Sequence, residues 1–239
     1  MGLFSPADFG GSSTRACAHS EDRLSKEPTT RPSSGLVTVT VTCRGVTPLL
    51  MNRIPPETLE QVRTKAKSPK TKQRPAVPRD EALPKLYVTA EGAPYIPTEN
   101  LLSCLVAAGQ SVRLDGKRQV STAKSTVLPA FLSLEERFLP LFVHGTGEVP
   151  GWEVDMRPGR NPNGGELVCL VRPRFDQWAF RVTATVDLDE VGINIARDLF
   201  DIAGKRIGLG DFRPSRKGLY GKFCVVGWEE DYPVAQAAE

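Results

Sequence analysis

Residues 36–43 read Leu-Val-Thr-Val-Thr-Val-Thr-Cys and predict where the folded part of the chain begins. Apolar residues alternate with threonine here, so one face is apolar and the other polar, as in a half-buried β-strand. The preceding residues, 1–34, are rich in Ser, Thr, Gly, Pro and charge and show no apolar periodicity. This composition predicts a disordered N-terminal extension, with the domain starting at residue 35.

The end of the chain predicts two strands, a helix and a last strand. The expected elements are a strand at 167–171, a strand at 178–186, a helix with Val191, Ile195, Leu199 and Ile202 on one stripe, and a strand at 219–228. Asp187 or Asp189 is expected to cap the helix, and Gly204 to end it. Trp178 shares the apolar phase of its strand and is therefore expected in the core.

The middle of the chain predicts a helix capped by Thr98 and stopped by Gly109, because Leu101, Cys104, Leu105 and Ala108 follow helical spacing. The other expected elements are a short helix at 57–67, a short strand at 86–89, short strands within 126–144 and a long polar loop at 156–165. The predicted elements follow the order strand, helix, strands, helix, strand, which indicates an α+β fold. This order is typical of a ferredoxin-like (RRM-like) split βαβ unit around an antiparallel sheet, here with long loop insertions. The domain is expected to span 35–230 and the C-terminal tail 231–239.

Composition indicates a soluble protein. The chain has 239 residues, 40% hydrophobic and 25% charged, and no apolar run reaches the roughly 18 residues that span a bilayer. No signal-peptide pattern opens it, so a cytoplasmic location is expected. Five cysteines without a Cys-x-x-Cys pair predict free thiols, mostly buried, and Cys17 with His19 is too small a ligand set for zinc. No metal site and no cofactor are predicted.

Positive charge is concentrated in two segments, although the formal net charge is only +3. Residues 61–79 hold seven basic residues and no acidic one, and a second basic cluster runs from Lys205 to Lys222. Segregated positive charge predicts a path for a polyanion such as nucleic acid. For the first segment, a solvated flexible loop is an equal alternative. Its prolines predict that 61–84 is mostly an extended, basic insertion.

Residues 204–222 form the segment with the clearest functional pattern, Gly-Lys-Arg-Ile-Gly-Leu-Gly-Asp-Phe-Arg-Pro-Ser-Arg-Lys-Gly-Leu-Tyr-Gly-Lys. The glycines are expected to let the backbone approach a phosphate chain and to offer bare N–H donors. The basic residues supply charge, and Phe212 and Tyr220 can stack on bases. The segment matches neither a Walker loop nor a dinucleotide-binding fingerprint. A long β-turn with capping glycines is the plainer alternative.

A basic glycine-rich loop before the last strand resembles the C-terminal loop of the RAMP superfamily, whose Cas7-like members are backbone subunits of CRISPR effectors. Residues 95–103, Tyr-Ile-Pro-Thr-Glu-Asn-Leu-Leu-Ser, resemble the helix start of the same superfamily, with Thr98 at one of its small polar positions, although the family's Lys-Gly has no clear match. Gly45-Val46-Thr47-Pro48-Leu49-Leu50-Met51 occupies the place of the loop after their first strand. The motifs also resemble a group of phage and prophage proteins. The resemblance spans about 36–229, and the order of the motifs is its strongest part.

The resemblance implies a single-stranded nucleic acid, in the first place RNA, held on the sheet face, with 61–84 crossing it as a thumb. Homo-oligomers along the strand and other effector subunits are the implied partners, with no membrane. The expected nucleic-acid-binding residues are Arg53, Lys65, Lys67, Lys70, Lys72, Thr98, Asn100, Arg113, Lys117, Arg118, Arg172, Arg174, Lys205, Arg206, Gly208, Gly210, Phe212, Arg213, Arg216, Lys217 and Tyr220.

The residues favour a binding protein over an enzyme. Target-cutting relatives carry an acidic residue in the loop after the first strand, and this chain has none between Arg44 and Pro56. A metal-independent ribonuclease often uses a histidine as general acid or base, and the only histidines in the sequence are His19 and His144. Three alternatives stay open: a Cas6-like, metal-independent endoribonuclease, a phage-encoded single-stranded-DNA-binding or recombination accessory protein, and a protein–protein module.

Overall fold

The computed structural model of the chain describes residues 35–65, 75–160, 165 and 167–233. The predicted extension 1–34 lies outside the described residues, as do Lys67, Lys70 and Lys72 of the predicted insertion. The helices are α1 (Pro56–Thr64), α2 (Pro78–Ala82), α3 (Thr98–Ala108) and α4 (Ile193–Ile202). The strands are β1 (Leu36–Gly45), β2 (Leu49–Leu50), β3 (Tyr95–Pro97), β4 (Arg113–Leu114), β5 (Arg118–Gln119), β6 (Leu132–Leu134), β7 (Phe138–Pro140), β8 (Glu153–Arg160), β9 (Leu167–Phe175), β10 (Ala179–Asp187) and β11 (Phe223–Asp231).

The central sheet has the strand order β11-β1-β10-β6, and all neighbouring strands are antiparallel. The strand predicted from residues 36–43 is confirmed, and Val37, Val39 and Val41 are fully buried. Val39 pairs with Ala184 and Val41 with Val182, so apolar faces of β1 and β10 coincide. The register follows from the alternation, because a one-residue slip would turn the valines to solvent.

The other face of the central sheet is polar. Thr38 and Thr40 of β1 lie opposite Thr185 and Thr183 of β10, and all four side chains are half-buried. No aromatic ring projects from this face in β1, β10 or β6. The aromatic residues of the sheet belong to the buried face instead, where the Trp178 ring stacks 6.2 Å from the Phe180 ring.

Helices α3 and α4 belong to the same hydrophobic core as the buried face of the sheet. Leu101 and Leu105 of α3 and Leu199 and Phe200 of α4 are fully buried, and the Phe200 ring meets the Trp228 ring of β11 at 6.0 Å. Burying each such side chain stabilises the fold by about 1.5–3 kcal/mol relative to exposure. The expected core position of Trp178 is confirmed, since it is 2% exposed.

The prediction of a polar loop at 156–165 is wrong over residues 156–160, because β8 covers them and pairs along its whole length with β9. Pro158 and Gly159 had suggested a loop. In the three-stranded sheet β2-β9-β8, however, β8 is an edge strand, where the missing N–H of Pro158 is tolerated. A Cβ on Gly159 would lie 2.6 Å from Leu170 Cδ1, so the glycine allows the Leu170 side chain to pack across the strand.

Several predicted helix ends are also wrong. Thr98 is the first residue of α3 rather than its cap, and its Oγ1 donates to the Glu136 carbonyl at 2.5 Å. Helix α4 begins at Ile193 after Gly192, and the Asp187 carboxylate accepts the Asp189 N–H of the preceding turn at 2.9 Å. The backbone continues past Gly204 in a π-helical turn to Ile207.

Three further elements differ from prediction. Residues 86–89 contribute a single bridge, Val88 to Pro94, instead of a strand. Within the predicted extended insertion 61–84, α1 ends at Thr64 and α2 begins at Pro78, and Ala82 of α2 is fully buried. The last strand starts at Phe223, not 219, because the preceding residues still belong to the glycine-rich loop. None of the helices in the described part of the chain is long and apolar enough to cross a lipid bilayer.

Candidate nucleic-acid interface

Three segments that the sequence singled out meet around one cleft with a volume of about 340 Å³. The loop after β1 contributes Met51 and Asn52, and the glycine-rich loop 204–222 contributes a wall from Ile207 to Ser215. The third side is formed by Tyr95 and by the face of α3 that carries Asn100 and Ser103. These segments are separated by about 50 to 150 positions along the chain, so only the fold brings them together.

The glycine-rich loop folds back tightly on itself. A Cβ on Gly218 would collide with the Phe212 carbonyl, and one on Gly221 with the Leu209 carbonyl. Gly221 also has φ 71°, in the left-handed region that favours glycine. The glycines therefore serve close approach within the loop.

The expectation of bare glycine N–H donors in this loop is wrong at three of the five glycines. The N–H of Gly208 donates to Ala203 O at 2.8 Å, that of Gly218 to Arg213 O at 3.0 Å and that of Gly221 to Pro48 O at 2.8 Å. Because these three donors are already satisfied within the protein, they are not available to a phosphate.

The loop after β1 is the surface on which the glycine-rich loop docks. In addition to the bond from Gly221, the Asp211 N–H donates to Leu50 O at 2.8 Å, and the Lys222 N–H to Thr47 Oγ1 at 2.9 Å. The same loop is tied to the core, because Trp178 Nε1 donates to Thr47 O at 2.8 Å. The Thr-Pro-Leu-Leu-Met segment therefore acts as a rigid support for the cleft.

Asp211 is the centre of a polar network at the cleft wall. Its carboxylate pairs with Arg172 Nε at 3.1 Å, accepts from Asn52 Nδ2 at 3.1 Å and accepts from the Phe212 N–H at 2.8 Å. Arg172, one of the expected binding residues, is buried instead of exposed, since it is 8% exposed. Arg174 is engaged as well: it bonds to Asp176 and Glu153, and the hydrogen bond to Asp176 raises the pKa of Arg174.

The outer side of the glycine-rich loop is basic and open to solvent. Lys205, Arg206, Arg216, Lys217 and Phe212 are exposed. Because Asp211 is the sole acidic residue of 204–222 and is ion-paired with Arg172, these cations are not neutralised from within the loop.

Aromatic and cationic groups also meet beside the loop. The half-buried Tyr220 ring lies 6.2 Å from the Phe212 ring, and the Arg157 guanidinium bonds to the Tyr220 hydroxyl. Asp155 in turn accepts from Arg157 Nε at 2.8 Å. This surface combines positive charge with rings, as single-strand-binding sites do.

Arg213 differs from the exposed cations. It lines the cleft, where its Nη1 donates to Gly210 O at 2.7 Å and its Nε to Ser215 Oγ at 3.0 Å. Arg213 is thus held in one position by the loop itself. Beneath it, burial raises the pKa of the Cys104 thiol to about 12, and its Sγ lies 3.3 Å from Gly208 O.

The remaining predicted binding residues that the structure describes do not line the cleft. Arg53 lies 5.9 Å from the Tyr87 ring, and Lys65 follows α1. Thr98 is buried beside the turn before β7. Arg113, Lys117 and Arg118 are exposed on the β4–β5 hairpin, with Arg113 Nη1 bonded to Lys117 O at 2.9 Å.

Sequence reasoning missed several residues of the cleft: Asn52, Tyr87, Tyr95, Ser103 and Asp211. Tyr95 and Asp211 stand inside motifs that had been singled out, so their position was a usable signal. Ser103 also stands inside such a motif, whereas Tyr87 carried no such signal. Among the described residues no group of three or more His, Cys, Asp or Glu side chains could hold a metal ion. His144 is exposed and does not line the cleft.

No protein-family model matches the chain, and no curated protein matches it either. Among solved structures, it is similar to a chain of the Type III-B Cmr-β complex bound to cognate target RNA, at 12% identity and a TM-score of 0.47. The match covers 82% of this chain and 60% of that one, so this chain spans less than two thirds of the length of that protein. A second similar structure is Cmr6 from Pyrococcus furiosus, at 12% identity and a TM-score of 0.39, covering 80% of this chain and 99% of that one.

Proposed function

We propose that this chain binds single-stranded nucleic acid, in the first place RNA, as a non-catalytic subunit of a CRISPR-like effector. The observation that carries the proposal is the convergence of three distant segments on one cleft, one wall of which, from Ile207 to Ser215, is flanked in sequence by the exposed cations Arg206 and Arg216. Phosphates are expected on Lys205, Arg206, Arg216 and Lys217, where flexible cations face solvent. Stacking is expected on Phe212 and Tyr220.

The proposed fold is a ferredoxin-like domain over 35–230. Support comes from the strand order β11-β1-β10-β6, with α3 between β1 and β6 in the chain and α4 between β10 and β11. A threonine-rich sheet face without rings offers little stacking. We therefore expect the strand to run over the glycine-rich loop, at the helical side of the sheet, instead of across the open face.

A non-catalytic role is supported by the chemistry at the cleft. Asp211 is the carboxylate next to the loop after β1, and its pairing with Arg172 and Asn52 occupies it. Cleavage of an RNA hairpin without added metal would instead favour the endoribonuclease alternative. The reaction is checked by gel analysis of labelled RNA after prolonged incubation.

The test of binding is the salt dependence of affinity for a fluorescent single strand, measured by anisotropy. The variant Lys205→Ala/Arg206→Ala/Arg216→Ala/Lys217→Ala should weaken binding and reduce the salt slope by about 0.7 for each phosphate that is no longer neutralised. An unchanged slope would contradict the assignment of the loop. Equal or tighter binding to single-stranded DNA would favour the phage DNA-binding alternative.

The matched control removes the same charge elsewhere. The variant Lys124→Ala/Arg137→Ala/Arg181→Ala/Arg197→Ala replaces four exposed cations that do not line the cleft. Its slope should stay closer to that of the unmodified protein. If both variants reduce the slope equally, binding is a diffuse effect of net charge.

The proposed homo-oligomer is tested on protein purified without nuclease. Co-purified nucleic acid protected in a regular ladder of lengths, and sensitive to RNase after extraction, is the expected result for copies arrayed along RNA. Fragments of a single short length would contradict such an array.

A further inference from the structure

The cleft holds groups that phosphate binding does not require. The four cations assigned to phosphates lie on the outer side of the loop and do not line the cleft. Its floor is formed by apolar groups such as Met51, Ile96 and Leu209, which are at most 4% exposed. Concave sites with an apolar floor and a few placed polar groups are typical of small organic ligands. At about 340 Å³ the cleft is at the small end of such sites, where one base fits and a stacked run does not.

One wall of the cleft is aromatic. Tyr87 and Tyr95 both line it, and their ring centroids lie 5.7 Å apart. The Phe138 ring supports Tyr95 from behind at 4.6 Å. Both tyrosines remain partly exposed, so their rings are available to a flat ligand. Rings of this kind stack on any base, because every base has a π-face.

The polar groups of the cleft suit the edge of a base. Asn100 and Ser103 lie three positions apart on α3 and therefore project on the same side. Within the described residues, the Asn100 amide has no hydrogen-bond partner, and it offers both a donor and an acceptor. Across the cleft, the Arg213 guanidinium is fixed by Gly210 O and Ser215 Oγ.

We infer that the cleft receives a single unstacked nucleobase of the bound strand, with Tyr87 and Tyr95 beside its face and Asn100 at its edge. This inference rests on the proposed function. Arg206 and Arg216 are next in sequence to Ile207 and Ser215 of the cleft lining, so phosphates on these exposed cations would place the strand beside the cleft. Turning one base inward costs little in a single strand because no pairing is broken. A free mononucleotide carries the same base chemistry and is the other source to be distinguished.

The experiment compares a single-stranded RNA with an abasic strand of the same length, since both carry the same phosphates. For the unmodified protein, the Kd for the strand with bases should be lower by at least about tenfold, since one well-seated base alone contributes about that much. Ala107→Phe fills the cleft from α3 and should reduce this preference about tenfold, to the part that stacking on Phe212 and Tyr220 contributes, while keeping the affinity for the abasic strand. Leu102→Phe, which is on the same helix but lines a different cavity, is the control and should keep the preference.

A second variant guards against misfolding. Asn100→Ala alters an exposed side chain without a protein partner among the described residues, so the fold is not at risk, and it should reduce the preference severalfold. Equal binding of both strands by the unmodified protein, or an unchanged preference in both Ala107→Phe and Asn100→Ala, would overturn the inference and leave phosphate binding intact. Absence of binding to either strand would overturn the proposed function and the inference with it. If adenosine monophosphate competes as strongly as the strand does, the cleft binds a free mononucleotide. That result would overturn the inference that the base in the cleft comes from the bound strand.

Discussion

Arg172 Nε and Asp211 Oδ2 lie 3.1 Å apart and form an ion pair between β9 and the glycine-rich loop. The Arg172 side chain is 9% exposed and that of Asp211 is 33% exposed, so the guanidinium is buried while the carboxylate is partly open to solvent. Asn52 adds a third partner from the loop after β1. One carboxylate thus joins three segments that are distant in sequence.

Replacing Asp211 by Ala should therefore destabilise the protein. It leaves the buried Arg172 guanidinium without its carboxylate, and we expect a loss of about 2 kcal/mol in the free energy of unfolding. Urea denaturation measures this loss. Asp176→Ala is the control, because Asp176 is exposed and pairs with Arg174 at the surface, where removal costs less than about 1 kcal/mol. Equal losses would show that the Arg172–Asp211 pair has no special structural role.

The glycine-rich loop should not accept a side chain at Gly221. Gly221→Ala places a Cβ against the Leu209 carbonyl, so the loop must open, at a cost of about 3 kcal/mol including backbone strain. Gly116→Ala is a matched control, since Gly116 has nearly the same φ, 70° against 71°, but open space around its Cβ position. It should lose about 1 kcal/mol. Thermal unfolding and strand affinity are measured on both variants, so that the effect of the steric collision is separated from that of backbone strain. Equal effects would show that close packing at Gly221 does not contribute to the stability of the loop.

The cations of the β4–β5 hairpin provide a test of how far the strand extends. Arg113→Ala/Lys117→Ala/Arg118→Ala should reduce the salt slope by up to about 2 for a long single strand. For a strand of about 8 nucleotides, enough to cover the glycine-rich loop, the slope should not change. Slopes that are unchanged for both lengths would remove the hairpin from the interface.

The thiol of Cys104 should be inert in the native protein. Burial raises its pKa to about 12 from an ordinary value of 9.0, which reduces the thiolate fraction at pH 8 by roughly a thousandfold. Burial also raises the pKa of Cys43 well above its ordinary value. Alkylation at pH 8 followed by mass spectrometry should leave both unmodified until the protein is unfolded with guanidinium. Rapid modification of Cys104 in the native protein would show that the cleft opens to its floor.

Elements with a strong local pattern could be predicted from the sequence. The alternation at 36–43, the helical spacing after Thr98 and the stripe from Ile195 to Leu199 each match an element of the structure. Strand β8 could not be predicted, because Pro158 and Gly159 are acceptable there only at a sheet edge. Helix ends were also missed where tertiary bonds replaced local caps, as at Thr98.

The candidate site divides in the same way. Its segments were recognisable in the sequence, since charge, glycine and aromatic composition are local properties. The sequence did not show which hydrogen-bond donors remain available to a ligand. The N–H groups of Gly208, Gly218 and Gly221 are used by the loop and its support, and Arg172 is buried against Asp211.

The sequence by itself determined the alternation that buries one face of the central sheet, the amphipathic helices that cover it and the basic character of 204–222. These features depend on the spacing and type of neighbouring residues. The tertiary structure alone decided that the loop after β1, the start of α3 and the glycine-rich loop enclose a common cleft, and that Asp211 is paired while the outer cations are exposed. The reason is physical: burial and hydrogen-bond satisfaction are set by contacts between residues far apart in the chain, which no local pattern encodes.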